Sequence, residues 1–280
     1  MALAIERGFT SIEEGQVHYR VCGDRSLPPL IMFHASPGSS YSVMPLMAEL
    51  GKARRVIAID TLGNGDSAAP RGEAPDIAYF ADAHGRAIKS MGIDSADIYG
   101  THTGAAICIE VAIAYPKLVK QIIMDGISLF DSKTKDTLMG GGHAPEIKAD
   151  LAGTQLLQIW TMVRDAHLFW PWWNRVNERR RNRALPSADQ LHEEVLELLK
   201  AWRTYHKSYR AALLHPRRER LPHVRHRTLV ACSPTDPLVT YVNEAVSLLK
   251  DAKGLITPGE ETPQDIVATA KLMSEFLNNG

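Results

Sequence analysis

The run Gly100-Thr101-His102-Thr103-Gly104 places an imidazole at the centre of a tight turn. A short apolar stretch, Ala96 to Tyr99, precedes it and reads as a buried strand. A long apolar helix, Gly104 to Tyr115, follows and stops at Pro116, a residue that cannot continue it. A strand that turns so sharply into a helix tolerates only small neighbours, and Gly100, Gly104 and Ala105 supply them. The central side chain then projects from a strained backbone above a helix N-terminus, which favours negative charge. Imidazole titrates at about 6.5, so much of it is neutral at pH 7. It can take a proton from water or substrate, and unlike serine it needs no separate base to become nucleophilic.

The elements around this turn alternate. Gln16 to Cys22, Pro29 to Phe33, Arg55 to Ile59, Val119 to Met124 and Thr228 to Cys232 read as strands, and Ile77 to Met91 as a helix. Strand–helix alternation predicts a mostly parallel, doubly wound α/β sheet with helices on both faces. Between residues 131 and 221 the texture changes. Strand-like runs vanish, and helical spacing with large aromatics appears at Leu156, Ile159, Trp160 and Val163, and again at Leu191, Val195, Leu198 and Trp202. This segment is expected to be a helical cap inserted into a core made of residues 1–130 and 222–280. Its basic clusters, NERRRNR at 177–183 and HPRRER at 215–220, are expected to be solvated helical surface.

Composition removes several classes of function. Thirty-two basic residues balance thirty-two acidic ones, so there is no general electrostatic case for nucleic acid or an anionic membrane. No apolar run approaches the roughly 20 residues that span a bilayer. The N-terminal MALAIERGFTSIEEG lacks the basic and apolar regions of a signal peptide. Cys22, Cys108 and Cys232 are few, odd in number and without metal-ligand spacing, as in a reduced cytoplasmic protein. No metal or organic cofactor is expected. The expected partner is a small-molecule substrate, with a homodimer left open.

Four segments in order resemble the α/β-hydrolase superfamily. They are Phe33-His34-Ala35-Ser36-Pro37-Gly38, the turn from Asp60 to Pro70, the turn around His102, and Ser233-Pro234-Thr235-Asp236-Pro237. The proline–glycine loop and the placement of the cap look most like the epoxide hydrolase, haloalkane dehalogenase and C–C hydrolase branch. The resemblance makes GTHTG a nucleophile elbow, with histidine where members carry serine, cysteine or aspartate. It makes the backbone N–H groups of Ala35 and Thr103 the oxyanion donors, and Asp236 the acid, with Asp125 as the other candidate. It gives His34 the task of bracing the oxyanion loop. His34, Ser36, Trp160 and Arg164 are the candidates for substrate contact, and Ser36 is also the best substitute hydroxyl nucleophile.

The resemblance breaks at a second place. Members carry a histidine shortly before the final helix, but here the loop reads Thr257-Pro258-Gly259-Glu260-Glu261-Thr262-Pro263, with no histidine after His226. The histidine thus stands in the elbow and is missing from the loop. The expected function is hydrolysis of a small ester or related acyl bond centred on His102. A cofactor-free lyase or decarboxylase using His102 as acid–base, and an inactive ligand-binding relative, stay open as alternatives.

Overall fold

A computed structural model describes residues 3–279. Eight strands form one sheet in the order β1-β2-β4-β3-β5-β6-β7-β8. β1 (Glu6–Ile12) pairs antiparallel with β2 (Gly15–Cys22), which pairs antiparallel with β4 (Arg55–Ile59). From there β3 (Pro29–Phe33), β5 (Ala96–Thr101), β6 (Val119–Asp125), β7 (Arg227–Cys232) and β8 (Ala252–Ile256) run parallel. β1 and β8 were absent from the sequence-based expectation. Both are edge strands with mostly solvated side chains, so neither carries the apolar run that marks the central strands.

Helices cover both faces. α1 (Met44–Leu50) and α10 (Pro263–Asn278) pack on one side; α2 (Ile77–Ser90), α3 (Thr103–Ala114) and α9 (Val242–Leu248) pack on the other. α3 is apolar on almost every side, as suits a helix in the middle of a core, and all of its residues from Thr103 to Ala112 are buried, Glu110 among them. α2 starts where the Asp76 carboxylate accepts the Tyr79 N–H. α10 starts with a reciprocal Thr262–Asp265 capping box, with Pro263 at the first helical position.

Between β6 and β7 lie only helical elements: α4 (Ser132–Gly140), α5 (Thr154–Leu168), α6 (Ala188–Lys200), α7 (Tyr205–Leu214), α8 (Arg217–Arg220) and short 3-10 turns. Ile147, Ile159, Met162, Val195, Leu198 and Tyr205 give this segment a small apolar core of its own. Among the described residues, no helix is long and apolar enough to cross a membrane.

The basic clusters are only partly the solvated surface expected of them. Arg179 and Arg180 are exposed, but Arg181 and Arg183 turn inward. In the second cluster Arg217 is buried, while Arg218 pairs with Glu244 and Arg220 with Glu110. The carboxylates that pair with Arg183, Arg218 and Arg220 are far away in sequence, so local charge pattern could not reveal them.

Candidate active site

The elbow forms because two glycines let backbones meet. A Cβ on Gly100 would lie 2.2 Å from the Gly104 carbonyl oxygen, and one on Gly104 would lie 2.1 Å from that of Phe33. His102 between them has φ 52° and ψ −99°, the only positive φ of a non-glycine among the described residues. Such a conformation costs on the order of 1–3 kcal/mol and persists only where the surrounding structure imposes it. The imposing contacts include the His102 N–H, which donates to the Asp125 carbonyl at 2.9 Å and extends the β5–β6 ladder by one rung.

From the elbow the ring leans across the end of β6 toward β7. Gly126, with φ +69°, makes the path: a Cβ there would fall 2.7 Å from His102 Nε2. The ring ends at Asp236, with Nε2 to Oδ2 at 2.8 Å. The Leu238 N–H donates to the other Asp236 oxygen at 2.8 Å, which fixes the carboxylate. Nδ1 makes no hydrogen bond to the described protein, and 39% of the His102 side chain stays accessible.

Charges around the pair follow from this layout. Enclosure by protein pushes the His102 pKa down, but the Asp236 carboxylate, and then Asp125, push it up further, leaving it above its ordinary value. Burial acts to raise Asp236, and the imidazole outweighs it, holding the carboxyl down at about 2. Asp125 does not orient the ring. Its carboxylate accepts the Tyr99 hydroxyl at 3.1 Å, and burial together with Asp236 raises it to about 6. Burial, Asp125 and Glu261 lift Glu260 to about 8, so it is largely protonated at neutral pH.

Glu260 and Glu261 occupy the histidine-free loop after β8. They share a cavity of about 240 Å³ with His102, Asp125, Asp236 and Arg181. Glu261 accepts the Thr235 hydroxyl at 2.5 Å and lies 3.5 Å from Arg183 Nε. Arg181, whose pKa burial lowers, also borders a second cavity of about 350 Å³, under α5 and α6. Neither Glu260 nor Arg181 was singled out from sequence. The departure of the PGEETP loop from the family pattern was the available signal for Glu260, and nothing local marked Arg181.

The remaining expected residues fall into place differently. The Ala35 and Thr103 N–H groups have no acceptor among the described residues. The Ser36 N–H donates to Thr103 Oγ1 at 3.2 Å, tying the loop after β3 to the elbow. His34 is fully buried, its Nδ1–H donating to the Ala35 carbonyl at 2.7 Å and its Nε2 accepting the Thr61 N–H at 3.0 Å. Both nitrogens are engaged, so His34 braces the loop and has nothing left for a substrate. The Ser36 hydroxyl lies 3.0 Å from that of Ser208, with no base beside it. Trp160 and Arg164 border none of the cavities at the elbow. Trp160 packs into the apolar core of the helical segment, and the Arg164 Nε donates to Asp165 at 2.8 Å. The cavity face of α5 carries Met162, Val163 and Ala166 instead, and Trp172 and Trp170 are the tryptophans that reach the cavities.

One further cluster, His18, Asp60 and Asp66, has metal-like spacing. Asp60 accepts from His18 Nδ1 at 2.8 Å and from the Ser40 N–H at 2.7 Å, which braces the turn after β4.

This sheet order, an elbow between β5 and α3 and an acid after β7 define the class. The chain belongs to the alpha/beta hydrolase fold family, which its residues 28–259 match. Among curated relatives, it is 35% identical over 101 residues to 2-hydroxymuconate semialdehyde hydrolase of Pseudomonas sp. (strain CF600), covering 35% of this chain and 36% of that one. It is 30% identical over 111 residues to mouse epoxide hydrolase 4, covering 38% and 30%. The matched part thus spans about a third of each relative. Among solved structures, epoxide hydrolase A from Mycobacterium thermoresistibile superposes with TM-score 0.73 at 19% identity over 98% of both chains. The enol-lactonase from Burkholderia xenovorans LB400 gives 0.73 at 16% identity over 97% and 100%.

Proposed function

We propose that the protein hydrolyses a small ester or related acyl bond, with His102 as general base and Asp236 as the residue that orients it. One observation carries this: the ring is held through Nε2 by an ionised carboxylate, while Nδ1 is unbonded and accessible. In the proposed reaction Nδ1 takes a proton from water as the water oxygen attacks the carbonyl carbon. The oxyanion is received by the N–H groups of Ala35 and Thr103, each worth roughly 3 kcal/mol in such sites. Collapse of the intermediate expels the alkoxide, which recovers the proton from Nδ1, giving acid and alcohol. Asp236 keeps the Nε2 proton in place and stabilises the imidazolium that forms between the two steps. That several relatives are named as hydrolases supports the general class. The helical segment between β6 and β7 would act as the cap. The buried, unpaired Cys22, Cys108 and Cys232 suit the reducing cytoplasm.

The test is turnover of aryl esters by purified His102→Ala protein, beside wild type in ¹⁸O-labelled water. The expected result is label in the acid product and a loss of about 10²- to 10⁴-fold in kcat/KM for the variant. Unchanged turnover by the variant would overturn the role of His102. Product without label would remove hydrolysis and favour non-hydrolytic acid–base chemistry.

A further inference from the structure

Beside the elbow lies a cavity of about 50 Å³, bounded by His102, Thr103 and Ser36 from the core and by His143, Tyr209 and Arg217 from the helical segment. Arg217 is 4% exposed. Its Nη1 donates to the Ala212 carbonyl at 2.6 Å, in the last turn of α7. Its Nε is buried and has no acceptor. It forms no ion pair among the described residues, and burial alone shifts its pKa, to about 10, which leaves it cationic at neutral pH. Asp131 and Glu219 border a second recess that Arg217 also lines, yet neither pairs with it. A buried guanidinium without a carboxylate is costly, and its neighbours Arg218 and Arg220 both have one.

A second group in the same wall is incomplete. His143 is 4% exposed, with Nε2 2.7 Å from the Tyr209 hydroxyl and Nδ1 buried without a partner. A confined cation and a spare ring nitrogen therefore sit beside the elbow with no protein anion to meet them. Arginine presents a planar fork of N–H donors that matches a carboxylate in two-point contact. A cavity of about 50 Å³ suits a small group such as a carboxylate rather than a whole ligand. The rest of a ligand must then extend past His102.

We propose that the cavity between His102 and Arg217 binds a free carboxylate of the substrate, making the preferred substrates compact monoesters of dicarboxylic acids or acyl compounds with a similar anionic end. The inference deepens the hydrolytic function proposed above and relies on it for the reaction, although the binding step can be tested separately. Calorimetric titration of the full chain with succinate reads the site directly. Wild type is expected to bind succinate, Arg217→Gln at least tenfold more weakly, and Arg217→Lys in between. In the His102→Ala protein, monomethyl succinate is expected to bind at least tenfold more tightly than dimethyl succinate, a comparison that needs no substitution at position 217. Equal affinity for the two esters, or undiminished succinate binding by folded Arg217→Gln, would overturn the proposal. Succinate bound through Arg217 by a protein that cleaves no ester would support the site and remove the reaction. Cleavage of neutral esters in preference to their monoacid counterparts would keep the reaction and overturn the site.

Discussion

Replacing Gly126 with alanine tests the position of the His102 ring without altering any group that does chemistry. The added Cβ would fall 2.7 Å from Nε2 and 2.8 Å from Cδ2. Comfortable carbon contacts begin at about 3.5 Å, so the ring must retreat by roughly 0.8 Å. Retreat moves Nε2 away from Asp236 and stretches a bond that now measures 2.8 Å. A hydrogen bond to a charged group contributes about 1.5–3 kcal/mol, which corresponds to roughly 10- to 100-fold in rate. Separately, alanine at φ +69° costs about 1–2 kcal/mol of stability. Three measurements read this out: kcat/KM on a cleaved ester, the His102 pKa by NMR, and the urea unfolding midpoint. The expected outcome is a 10- to 100-fold loss of kcat/KM, a lower His102 pKa, and a stability loss small enough to leave the protein folded. A variant with wild-type kcat/KM and an unchanged His102 pKa would refute the leaning-ring geometry on which the dyad depends.

Because His102 must be neutral to act as a base and its pKa lies above 6.5, kcat/KM should rise with pH through a midpoint above that value. Asp236→Asn should shift the midpoint downward as well as lowering the plateau, and an unmoved midpoint would deny the ion pair. Glu260, lifted from 4.5 to about 8, binds its proton more tightly in the folded state. Its contribution to stability is complete below about pH 4.5 and is lost as pH rises through 8. Urea titrations of Glu260→Gln at pH 5 and pH 9 should therefore show less loss of stability with pH than wild type. The difference should be on the order of 2–3 kcal/mol after allowing for partial solvation, and identical pH dependence would refute the shift. Ser36→Ala should retain hydrolysis within about threefold, since the hydroxyl has only Ser208 beside it. A loss beyond a hundredfold would revive Ser36 as the nucleophile.

Strands β3 and β4 were legible to the residue, because Pro29–Phe33 and Arg55–Ile59 are apolar runs closed off by turns. β1 and β8 were not, because an edge strand shows water the side chains that a central strand must bury. Within the site, His102 and Asp236 could be named because each lies in a turn at the end of a strand with its own local signature. Gly126, Arg181, Glu260 and Arg217 carry no such mark. Their significance comes from what the fold lays against them: an imidazole over Gly126, two carboxylates near Glu260, and no carboxylate paired with Arg217. Trp160 and Arg164 fail for a related reason. Helical spacing shows that they share a face of α5, but it cannot show which face meets the cavity.

The elbow histidine and the altered loop after β8 are physically connected. On the proposed reading, a histidine that reaches Asp236 from the elbow releases that loop from supplying a base, and the loop instead places Glu260 and Glu261 near the same site. That substitution carries a risk. Each additional ionised carboxylate near His102 would raise its pKa, and a base protonated at neutral pH cannot accept a proton. Burial limits the effect by keeping Glu260 largely neutral, whereas Asp125, at about 6, stays mostly ionised at pH 7 and adds to the upward push on His102. Asp236, held down at about 2, is fully ionised at pH 7. It is also the one that touches the ring. The imidazole therefore feels Asp236 through a hydrogen bond and Asp125 through space, and its pKa settles above the ordinary value.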